Sequence, residues 1–339
     1  MKGLFLFVLL SNTLILVNCF QSNIDWINHH HLQTRYTRTL ACRSSKEDSN
    51  ENPKSQFGIL RVDGPDQNGI VAAFAQVLYG HGCGIFESEQ HTDKQANRFF
   101  QRIKFDYSNM FTDKRTLEFG IKEVSERFDM CTDLNWNEKK KKVAIMVSKV
   151  DHCLWELLLR HQAGELDCDI SCILSNHEVL KPIADTFNIP FHAFNVTKET
   201  KMEAEQGQLK LLLETYQVDL VILARYMQII SENFCDTFPC KVINIHHSFL
   251  PAFIGGKPYH RAHERGVKLI GSTAHYATSD LDEGPIIEQD ITRISHRDAT
   301  KDLIRKGRLL EKNTLVSAVK AHLEDRIVVY SNKCIVFDG

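Results

Sequence analysis

Three polar side chains of the 339-residue chain have types that could do chemistry together at one reaction centre. Asn244 and His246 lie two residues apart in an apolar run that starts at Val242. On a β-strand such residues point to the same side, so an amide and an imidazole would face one reaction centre. Asp282 lies in an acidic segment further along the chain, and a loop there would bring its carboxylate to His246.

Side chains of these types suit nucleophilic attack on a carbonyl group. Such an attack creates a tetrahedral oxyanion, which requires hydrogen-bond donors where the charge develops. The amide of Asn244 and a protonated His246 are such donors, and a nearby carboxylate stabilises the imidazolium. Asp282 would hold the attacking water and move protons, a role that typically contributes about 10²–10⁴-fold to a rate. This chemistry requires no metal and no cofactor, and we expect neither.

The elements that position these residues are predicted to form a doubly wound, mostly parallel α/β sheet. Continuous apolar runs alternate with helical periodicity from residue 143 onward, as in buried parallel strands joined by helices. Ligands of such sheets bind at the carboxyl ends of the strands, where the polar residues follow. The predicted strands are Val143–Ser148, Ile170–Leu174, Phe191–Phe194, Leu220–Leu223 and Val242–Ile245, and a helix from about Ala299 to Leu323 precedes a final strand pair.

A smaller ferredoxin-like unit is predicted ahead of this sheet, in residues 57–137. Strand and helix patterns follow one another there in the order β-α-β-β-α-β. In the second strand Glu87, Glu89 and His91 alternate on one face, which fits either a ligand site or a solvated surface. Residues 138–142 contain four consecutive lysines, which we interpret as a solvated linker between the two domains and not as a phosphate contact.

Residues 1–56 are predicted to be a disordered targeting presequence. An apolar run from Leu4 to Val17 has the character of a signal peptide and is too short and interrupted for a membrane span. The stretch after it is rich in Ser, Thr, Asn and Arg and poor in acids, as transit peptides are. This order favours a plastid, with the mitochondrion and secretion as alternatives. The histidines at 29–31 fall in this removable part, so we assign them no metal role.

Composition and charge narrow the classes of partner. Hydrophobic residues make up 43% of the chain and charged residues 25%, as in soluble globular proteins. The formal net charge of −2 provides no broad basic field, so we expect neither nucleic acid nor a membrane as a partner. The ten cysteines are scattered without a C-x-x-C pair, which predicts reduced thiols and no structural zinc site.

The combined motifs resemble the formyltransferase family, whose members handle 10-formyltetrahydrofolate. The resemblance rests on Asn244-x-His246 with the following Ser248-Phe-Leu-Pro251, and on Asp282-x-Gly284. Two longer strings, residues 147–154 and 255–266, resemble more narrowly the formyltetrahydrofolate deformylases. The first domain resembles an ACT domain through its Gly64-Pro-Asp-Gln-Asn-Gly69 turn. Together these similarities cover roughly residues 57–339.

The resemblance implies a reaction and the residues that perform it. The expected activity is hydrolysis of 10-formyltetrahydrofolate, with Asn244, His246 and Asp282 as the catalytic triad. Ser248 is expected to support the triad from behind, and His275 either does the same or is a packing residue. His247, next to His246 on the strand, is expected to point to the opposite face. The pterin is expected to lie against the backbone at 227–230 and the loop at 278–282, and Leu223 and Ile229 either form apolar walls or belong to the core. The predicted substrate-binding residues are Met227, Gln228, Ile229, Ile230, Thr278 and Gly284.

The resemblance to an ACT domain implies regulation and assembly. Such domains bind small effectors, often amino acids, between paired copies, so we expect a homo-oligomer with a tetramer as the candidate assembly. The alternative is that the domain only joins subunits. The folate substrate also links the chain to one-carbon metabolism and purine biosynthesis.

Related activities of the same family must be distinguished from hydrolysis. Glycinamide ribonucleotide formyltransferase holds a substrate phosphate at a glycine-rich turn, whereas the corresponding turn here, 148–152, has no glycine and contains an acid. Methionyl-tRNA formyltransferase carries a further C-terminal domain, whereas here we expect the chain to close with the helix at about 299–323 and the short strand pair. A third alternative is an inert protein that senses folate or an amino acid, which loss of a triad residue would favour; all three are present.

Overall fold

The computed structural model describes residues 56–252 and 258–338. The predicted presequence, apart from Gln56, lies outside the described residues, as does the glycine-containing segment at 253–257. Among the described helices, none combines the length and the apolar character needed to cross a membrane.

The first domain is a four-stranded antiparallel sheet in the order β2-β3-β1-β4, with two helices connecting the strands. This β-α-β-β-α-β unit is the predicted one; its assignment to the ACT family stays a prediction. The elements are β1 (Phe57–Pro65), α1 (Ile70–Gly80), β2 (Gly84–Asp93), β3 (Arg98–Asp106), α2 (Lys114–Phe128) and β4 (Cys131–Asn135).

Helix α2 shows how the sequence dictates these boundaries. The Asp113 side chain accepts a hydrogen bond from the Thr116 backbone at 2.9 Å and so caps the first turn. Leu117, Ile121 and Val124 then recur at helical spacing and are buried against the sheet. The helix ends where Asp129 adopts a left-handed conformation.

The second domain is a seven-stranded sheet in the order β11-β10-β9-β8-β5-β6-β7. Strands β5 to β9 pair in parallel and β10 and β11 add antiparallel at one edge, so the predicted mostly parallel sheet is confirmed. The strands are β5 (Lys141–Val147), β6 (Cys168–Ser175), β7 (Phe191–Ala193), β8 (Leu220–Leu223), β9 (Val242–His246), β10 (Leu269–Tyr276) and β11 (Ile286–Arg293).

Helices cover both faces of this sheet. Alternate residues of the central strands belong to two separate apolar cores, for example Ile145 to one and Met146 to the other. The helices are α3 (His152–Gln162), α4 (Lys181–Thr186), α5 (Lys201–Lys210, continued by a π-helical turn at Leu211–Thr215), α6 (Glu232–Thr237), α7 (Pro258–Arg265) and α8 (Thr300–Leu323), and a hairpin of β12 (Ile327–Tyr330) and β13 (Lys333–Val336) follows.

The junction between the domains differs from the predicted solvated linker at 138–142. Strand β5 already begins at Lys141, and the Lys141 side chain is largely buried. Its ammonium group donates to the carbonyl groups of His322 and Leu323, at 3.1 and 2.9 Å, and pairs with Asp325 at 2.7 Å. Lys141 and Lys142 are therefore part of strand β5 and not of a linker. The Lys141 side chain is buried because it contacts the segment that follows helix α8.

The first domain also contacts the end of helix α8. The guanidinium group of Arg102, 3% exposed, donates to the carbonyl groups of Glu324 and Asp325 just beyond that helix. The Glu87 carboxylate pairs in turn with Arg102 and with Lys104, at 3.1 Å each. Glu87, one of the three alternating polar residues of β2, is thus engaged in the interface between the domains.

Candidate active site

A cavity of about 230 Å³ opens where strands β8 and β9 end. Its position at the carboxyl ends of parallel strands is the one expected for a ligand site in such a sheet. The lining residues come from the turn after β8, from β9 and from the loop after β10: Leu223, Arg225, Tyr226, Met227, Gln228, Ile229, Ile230, Asn244, Ile245, His246, His247, His275, Ala277, Thr278, Ser279, Asp280, Leu281 and Asp282.

Strand β9 supplies two of the predicted triad residues. Asn244 and His246 both line the cavity, as their spacing on the strand predicts. His247 was expected to point to the opposite face, and this prediction is wrong, since His247 lines the cavity as well. The physical reason is that the strand ends at His246, and side chains beyond a strand end no longer alternate.

Asp282 reaches His246 because the loop between β10 and β11 doubles back. The Tyr276 amide donates to the Pro285 carbonyl, so the two ends of the loop are joined. Asp282 takes a left-handed conformation (φ 60°), and its carboxylate Oδ1 lies 3.1 Å from Nδ1 of His246 and 3.8 Å from Nε2 of His275. The structure thus brings Asn244, His246 and Asp282 to one cavity.

Gly284 is not among the residues that line the cavity but has a structural role, and its predicted contact with substrate stays a prediction. A Cβ atom at this position would lie 1.8 Å from the carbonyl oxygen of Tyr276. Only glycine permits this close approach of the two loop ends. The Asp282-x-Gly284 motif therefore combines a functional carboxylate with the residue that allows its loop to close.

The two ring nitrogens of His246 have different surroundings. Nδ1 faces Asp282, whereas Nε2 is buried at the cavity without a hydrogen-bond partner among the described residues. A buried polar atom without a partner costs free energy, so such an atom at a ligand cavity marks a place where a ligand completes the hydrogen bond. With both nitrogens protonated, His246 donates to Asp282 and to a cavity ligand at the same time.

His275 fixes the orientation of the Asn244 amide. Its Nδ1 lies 2.9 Å from the Tyr276 carbonyl oxygen, which only accepts, so Nδ1 carries the proton. Nε2 of the neutral ring then accepts, and the Asn244 Nδ2 group donates to it at 3.1 Å. The second N–H of that amide is left for a ligand. His275 therefore contacts Asn244 and lies 3.8 Å from the Asp282 carboxylate, directly behind the triad.

Shifts in pKa determine which side chains of this site carry a charge. Burial raises the pKa of Asp282, but the hydrogen bond and the charge of His246 outweigh burial, so the pKa of the carboxyl is lowered. Burial lowers the pKa of His275, and burial together with the charge of Arg225 lowers the pKa of His247 to about 3. At neutral pH Asp282 is thus ionised, and His275 and His247 are uncharged.

The segment 227–230 forms an apolar wall whose backbone is held at both ends. At its start, the Met227 amide donates to the Ser148 hydroxyl at 2.9 Å. After its end, the Ser231 amide and hydroxyl both donate to the Glu205 carboxylate. Met227 and Ile229 are 58% and 57% exposed, so a fixed backbone presents apolar side chains at the cavity. This arrangement suits a flat aromatic ligand.

Ser248 supports the turn after β9 and makes no described contact with the triad. Its hydroxyl donates to the Ala252 carbonyl at 2.7 Å, and its own carbonyl accepts from the Thr273 hydroxyl at 2.9 Å. Ser248 therefore holds the backbone beyond His246, and its support of the triad stays a prediction.

The sequence interpretation missed Arg225 as a residue of the cavity. Arg225 lies in the turn directly after β8 and has a left-handed backbone conformation (φ 65°). A signal was available, because a charged residue that follows a buried parallel strand lies at the ligand-binding edge of the sheet. His247 was missed for the different reason given above.

Comparisons with known proteins agree with this geometry. The family model described as formyl transferase matches residues 141–319, which include every residue that lines the cavity. A formyltetrahydrofolate deformylase of Bacillus subtilis is 51% identical over 282 residues, which are 83% of this chain and 94% of that protein.

Solved structures are similar at two levels. The crystal structure of a formyltetrahydrofolate deformylase from Pseudomonas syringae is 42% identical, with a TM-score of 0.81 over 84% of this chain and 95% of that chain. Glycinamide ribonucleotide transformylase 1 of Symbiobacterium toebii is 26% identical, with a TM-score of 0.56 over 61% of this chain and 98% of that chain.

Proposed function

The chain belongs to the formyltetrahydrofolate deformylase family, and we propose that Asn244, His246 and Asp282 together catalyse its reaction. The reaction is the hydrolysis of 10-formyltetrahydrofolate to formate and tetrahydrofolate. The observation that carries the proposal is Nε2 of His246, which is buried at the cavity and has no hydrogen-bond partner among the described residues. Asn244 lines the same cavity, and Asp282 holds the other ring nitrogen of His246.

In the first step the oxygen of a water molecule attacks the formyl carbon and forms a C–O bond. Asp282, ionised at neutral pH, accepts a proton from this water. The formyl oxygen becomes an oxyanion, which receives hydrogen bonds from the Asn244 amide and from Nε2–H of His246. Both donors are fixed before the reaction, because His275 orients Asn244 and Asp282 orients His246.

In the second step the bond between the formyl carbon and the folate nitrogen breaks. The oxyanion electrons re-form the C=O bond of formic acid, and the folate nitrogen takes up the proton that Asp282 received. Formic acid loses its remaining proton to solvent and leaves as formate. The chain's own residues supply each donor and acceptor in this sequence, and we propose that no metal or cofactor takes part.

The folate is proposed to enter with its pterin against the wall at 227–230. The exposed side chains of Met227 and Ile229 offer apolar contacts, and the loop at 278–282 lies across the cavity from them. Gln228, Ile230 and Thr278, which were predicted from the motif, line the same space. Asn244 and His246 then face the formyl group at the inner end of the cavity.

The test of the function is formate release from 10-formyltetrahydrofolate with water as the sole acceptor. We expect stoichiometric formate and tetrahydrofolate, with no requirement for glycinamide ribonucleotide. Strict dependence on that amine would instead establish the transferase alternative. That alternative has the weaker support, since the transformylase similarity extends over 61% of this chain and the deformylase similarity over 84%. Binding without turnover would establish the inert sensor.

Two further proposals concern regulation and location. We propose that the first domain pairs with its copy in another subunit, giving a homo-oligomer with a tetramer as the candidate, and that an amino acid acts there as effector. We also propose that residues 1–56 direct the protein to an organelle, with a plastid favoured over the mitochondrion. Fusion of this segment to a fluorescent protein distinguishes the two organelles.

A further inference from the structure

A buried cluster of four polar side chains lies beside the catalytic cavity and has no step in the mechanism. Glu311 of helix α8, 1% exposed, is its centre. His152 contributes from the first residue of α3, Tyr259 from α7, and Arg225 from the turn after β8. Four separate elements therefore meet at one carboxylate.

The Glu311 carboxylate uses both of its oxygens inside the protein. Oε2 lies 2.9 Å from Nε2 of His152 and 3.4 Å from Nε of Arg225. Oε1 accepts from the Tyr259 hydroxyl at 2.5 Å. Burial raises the pKa of Glu311, but the hydrogen bond from His152 and the charge of Arg225 outweigh it, and the pKa is lowered. The group is thus a buried anion with internal partners.

Helix α8 makes room for this cluster. Gly307 lies one turn before Glu311, and a Cβ atom there would lie 2.0 Å from the Tyr259 hydroxyl oxygen. Glycine inside a helix costs about 1 kcal/mol relative to alanine, so its presence here requires a reason. The reason is the close packing of the Tyr259 ring, which brings its hydroxyl group to Glu311.

The cluster occupies the place where a sheet of this kind holds an anionic ligand. Strand β5 has β6 on one side and β8 on the other, so the chain changes direction there, and a crevice opens at the carboxyl ends of β5 and β8. The helix after β5 starts at this crevice, and helix starts attract anions. Its first residue here is His152, which contacts the internal carboxylate of Glu311.

His247 connects the crevice to the reaction centre. Its ring centroid lies 5.2 Å from that of His246 and 6.0 Å from that of Tyr259. Arg225 lines the catalytic cavity and contacts Glu311 as well. Any second substrate that approached the formyl group from this side would therefore have to displace the cluster.

A metal ion is a less suitable occupant of the same residues. His152, Cys153 and Glu311 place three ligand-type atoms within 4.8 Å of one another. However, burial raises the pKa of the Cys153 thiol far above neutral pH, so the thiol stays protonated. The Glu311 oxygens are already engaged, and the Arg225 cation beside them opposes a second positive charge.

We propose that Glu311, His152, Tyr259 and Arg225 fill the space in which a related transferase seats its phosphorylated amine, so that only water reaches the formyl carbon. The transformylase relative, named for glycinamide ribonucleotide, has an acceptor of that chemical class. The inference rests on the proposed hydrolysis and adds the reason for its choice of acceptor. Glu311 supplies the negative charge that an acceptor phosphate would otherwise bring to this crevice.

The first measurement uses the wild-type enzyme. Formate release should be unchanged by glycinamide ribonucleotide at millimolar concentration, because the crevice is filled. Competitive inhibition of the wild type would overturn the proposal while leaving hydrolysis established. Failure of the wild type to release formate at all would instead overturn the function itself, so the two failures are distinguishable.

The second measurement opens the crevice with Glu311→Ala. This variant leaves Arg225 and the start of α3 without an anion, so inorganic phosphate should bind and raise the Tm by roughly 3 °C at about ten times its Kd. Glycinamide ribonucleotide should now slow formate release at least severalfold. Glu311→Gln is the matched control, because its side chain still fills the space and should show neither effect.

The variants distinguish a cluster that fills the acceptor space from one that only stabilises the fold. The proposal would be contradicted if Glu311→Ala folds but its Tm is unchanged by phosphate and its formate release is unchanged by glycinamide ribonucleotide. If Glu311→Ala does not fold, His152→Ala tests the same space from the other side, and inhibition by the nucleotide is again expected. The double variant Glu311→Ala with Arg225→Met should lose the phosphate effect; its persistence would place the bound anion elsewhere and overturn the assignment.

Discussion

Asp282 combines a left-handed backbone conformation with a buried, charged side chain. Its φ of 60° is uncommon for a residue other than glycine, asparagine or aspartate, and its carboxylate is 6% exposed. The closed loop around Gly284 holds this conformation. The protein therefore fixes the carboxylate against His246 before the substrate arrives, which reduces the reorganisation required in the transition state.

Replacement of Asp282 by asparagine should affect turnover far more than substrate binding. The variant keeps the shape of the side chain but loses the proton acceptor, so we expect kcat to fall by about 10²–10⁴-fold with KM little changed. Steady-state formate release measures both constants. Glu283→Gln, at the adjacent exposed carboxylate, is the matched control and should behave as the wild type. Near-normal turnover of Asp282→Asn would exclude the proposed acid-base role.

His275 should act through Asn244 and not on the substrate. His275→Leu removes the acceptor that orients the amide, so kcat should fall by about 10–100-fold. Asn244→Ala should cost about 10²–10³-fold. Because the two residues act as one unit, the double variant should be no slower than Asn244→Ala alone. His275→Gln keeps an acceptor and should recover most of the activity. Additive losses would show that His275 has an independent role.

A residue's role could be predicted from the sequence where the pattern that reveals it is local. Asn244 and His246 were predictable because alternation along one strand places them together, and Asp282 followed from its motif. Glu311 was not predictable, since its partners His152, Tyr259 and Arg225 come from three other elements far apart in the chain. His247 was misjudged because a residue just beyond a strand end is positioned by tertiary contacts and no longer follows the alternation of the strand.

At the scale of elements, the connection between β10 and β11 depends on one glycine. Gly284→Ala places a methyl group against the Tyr276 carbonyl, so we expect a loss of about 3 kcal/mol or more in unfolding free energy, together with a loss of activity as Asp282 moves. Chemical denaturation measures the first effect. Gly80→Ala is the control, because a Cβ atom there meets nothing within 4 Å. Equal stability of both variants would refute the close-approach argument.

Helix α8 carries a histidine that should make stability depend on pH. Burial and the charges of Lys141, Arg61 and Lys241 lower the pKa of His322 to about 3, and the Tyr276 hydroxyl hydrogen-bonds to its Nδ1 at 2.7 Å. The unfolded chain, in which a histidine has a pKa of about 6.5, binds the proton first as the pH falls. The folded state therefore loses stability progressively from pH 6.5 towards pH 3.

The variant His322→Asn should reduce this dependence. Between pH 7 and pH 5 its unfolding free energy should fall by about 2 kcal/mol less than that of the wild type. Denaturant titrations at the two pH values measure the difference. His263→Asn, on the exposed side of α7, should leave the wild-type slope unchanged. An unaltered slope in His322→Asn would mean that His322 does not titrate in this way.

Most elements were predictable because their patterns are local and regular. The strand β5 and the long helix α8 were both found within a few residues of the predicted bounds. The structure of the junction at 138–142 could not be predicted from the sequence, because the burial of Lys141 depends on Asp325, nearly two hundred positions later in the chain. A lysine run in a sequence does not reveal a distant carboxylate.

At the scale of the whole molecule, strand β2 forms an outer edge of the first sheet with most of its residues exposed. Unpaired edge strands are usually covered or paired, so we expect this edge to join that of a second copy. Light scattering at micromolar concentration should give a multiple of the monomer mass. Phe86→Lys, which puts a charge at a half-exposed position of the strand, should shift the protein towards monomers. A monomeric wild type would contradict the pairing.

The contact of Arg102 with the end of helix α8 limits how such a protein can be rebuilt. The carbonyl groups that follow the helix receive their donors from the neighbouring domain, although all triad residues lie elsewhere. The domains are therefore not interchangeable parts. A chimera that replaced the first domain with a foreign regulatory module would have to import an arginine at the matching position, or the hydrolase would lose the end of its longest helix.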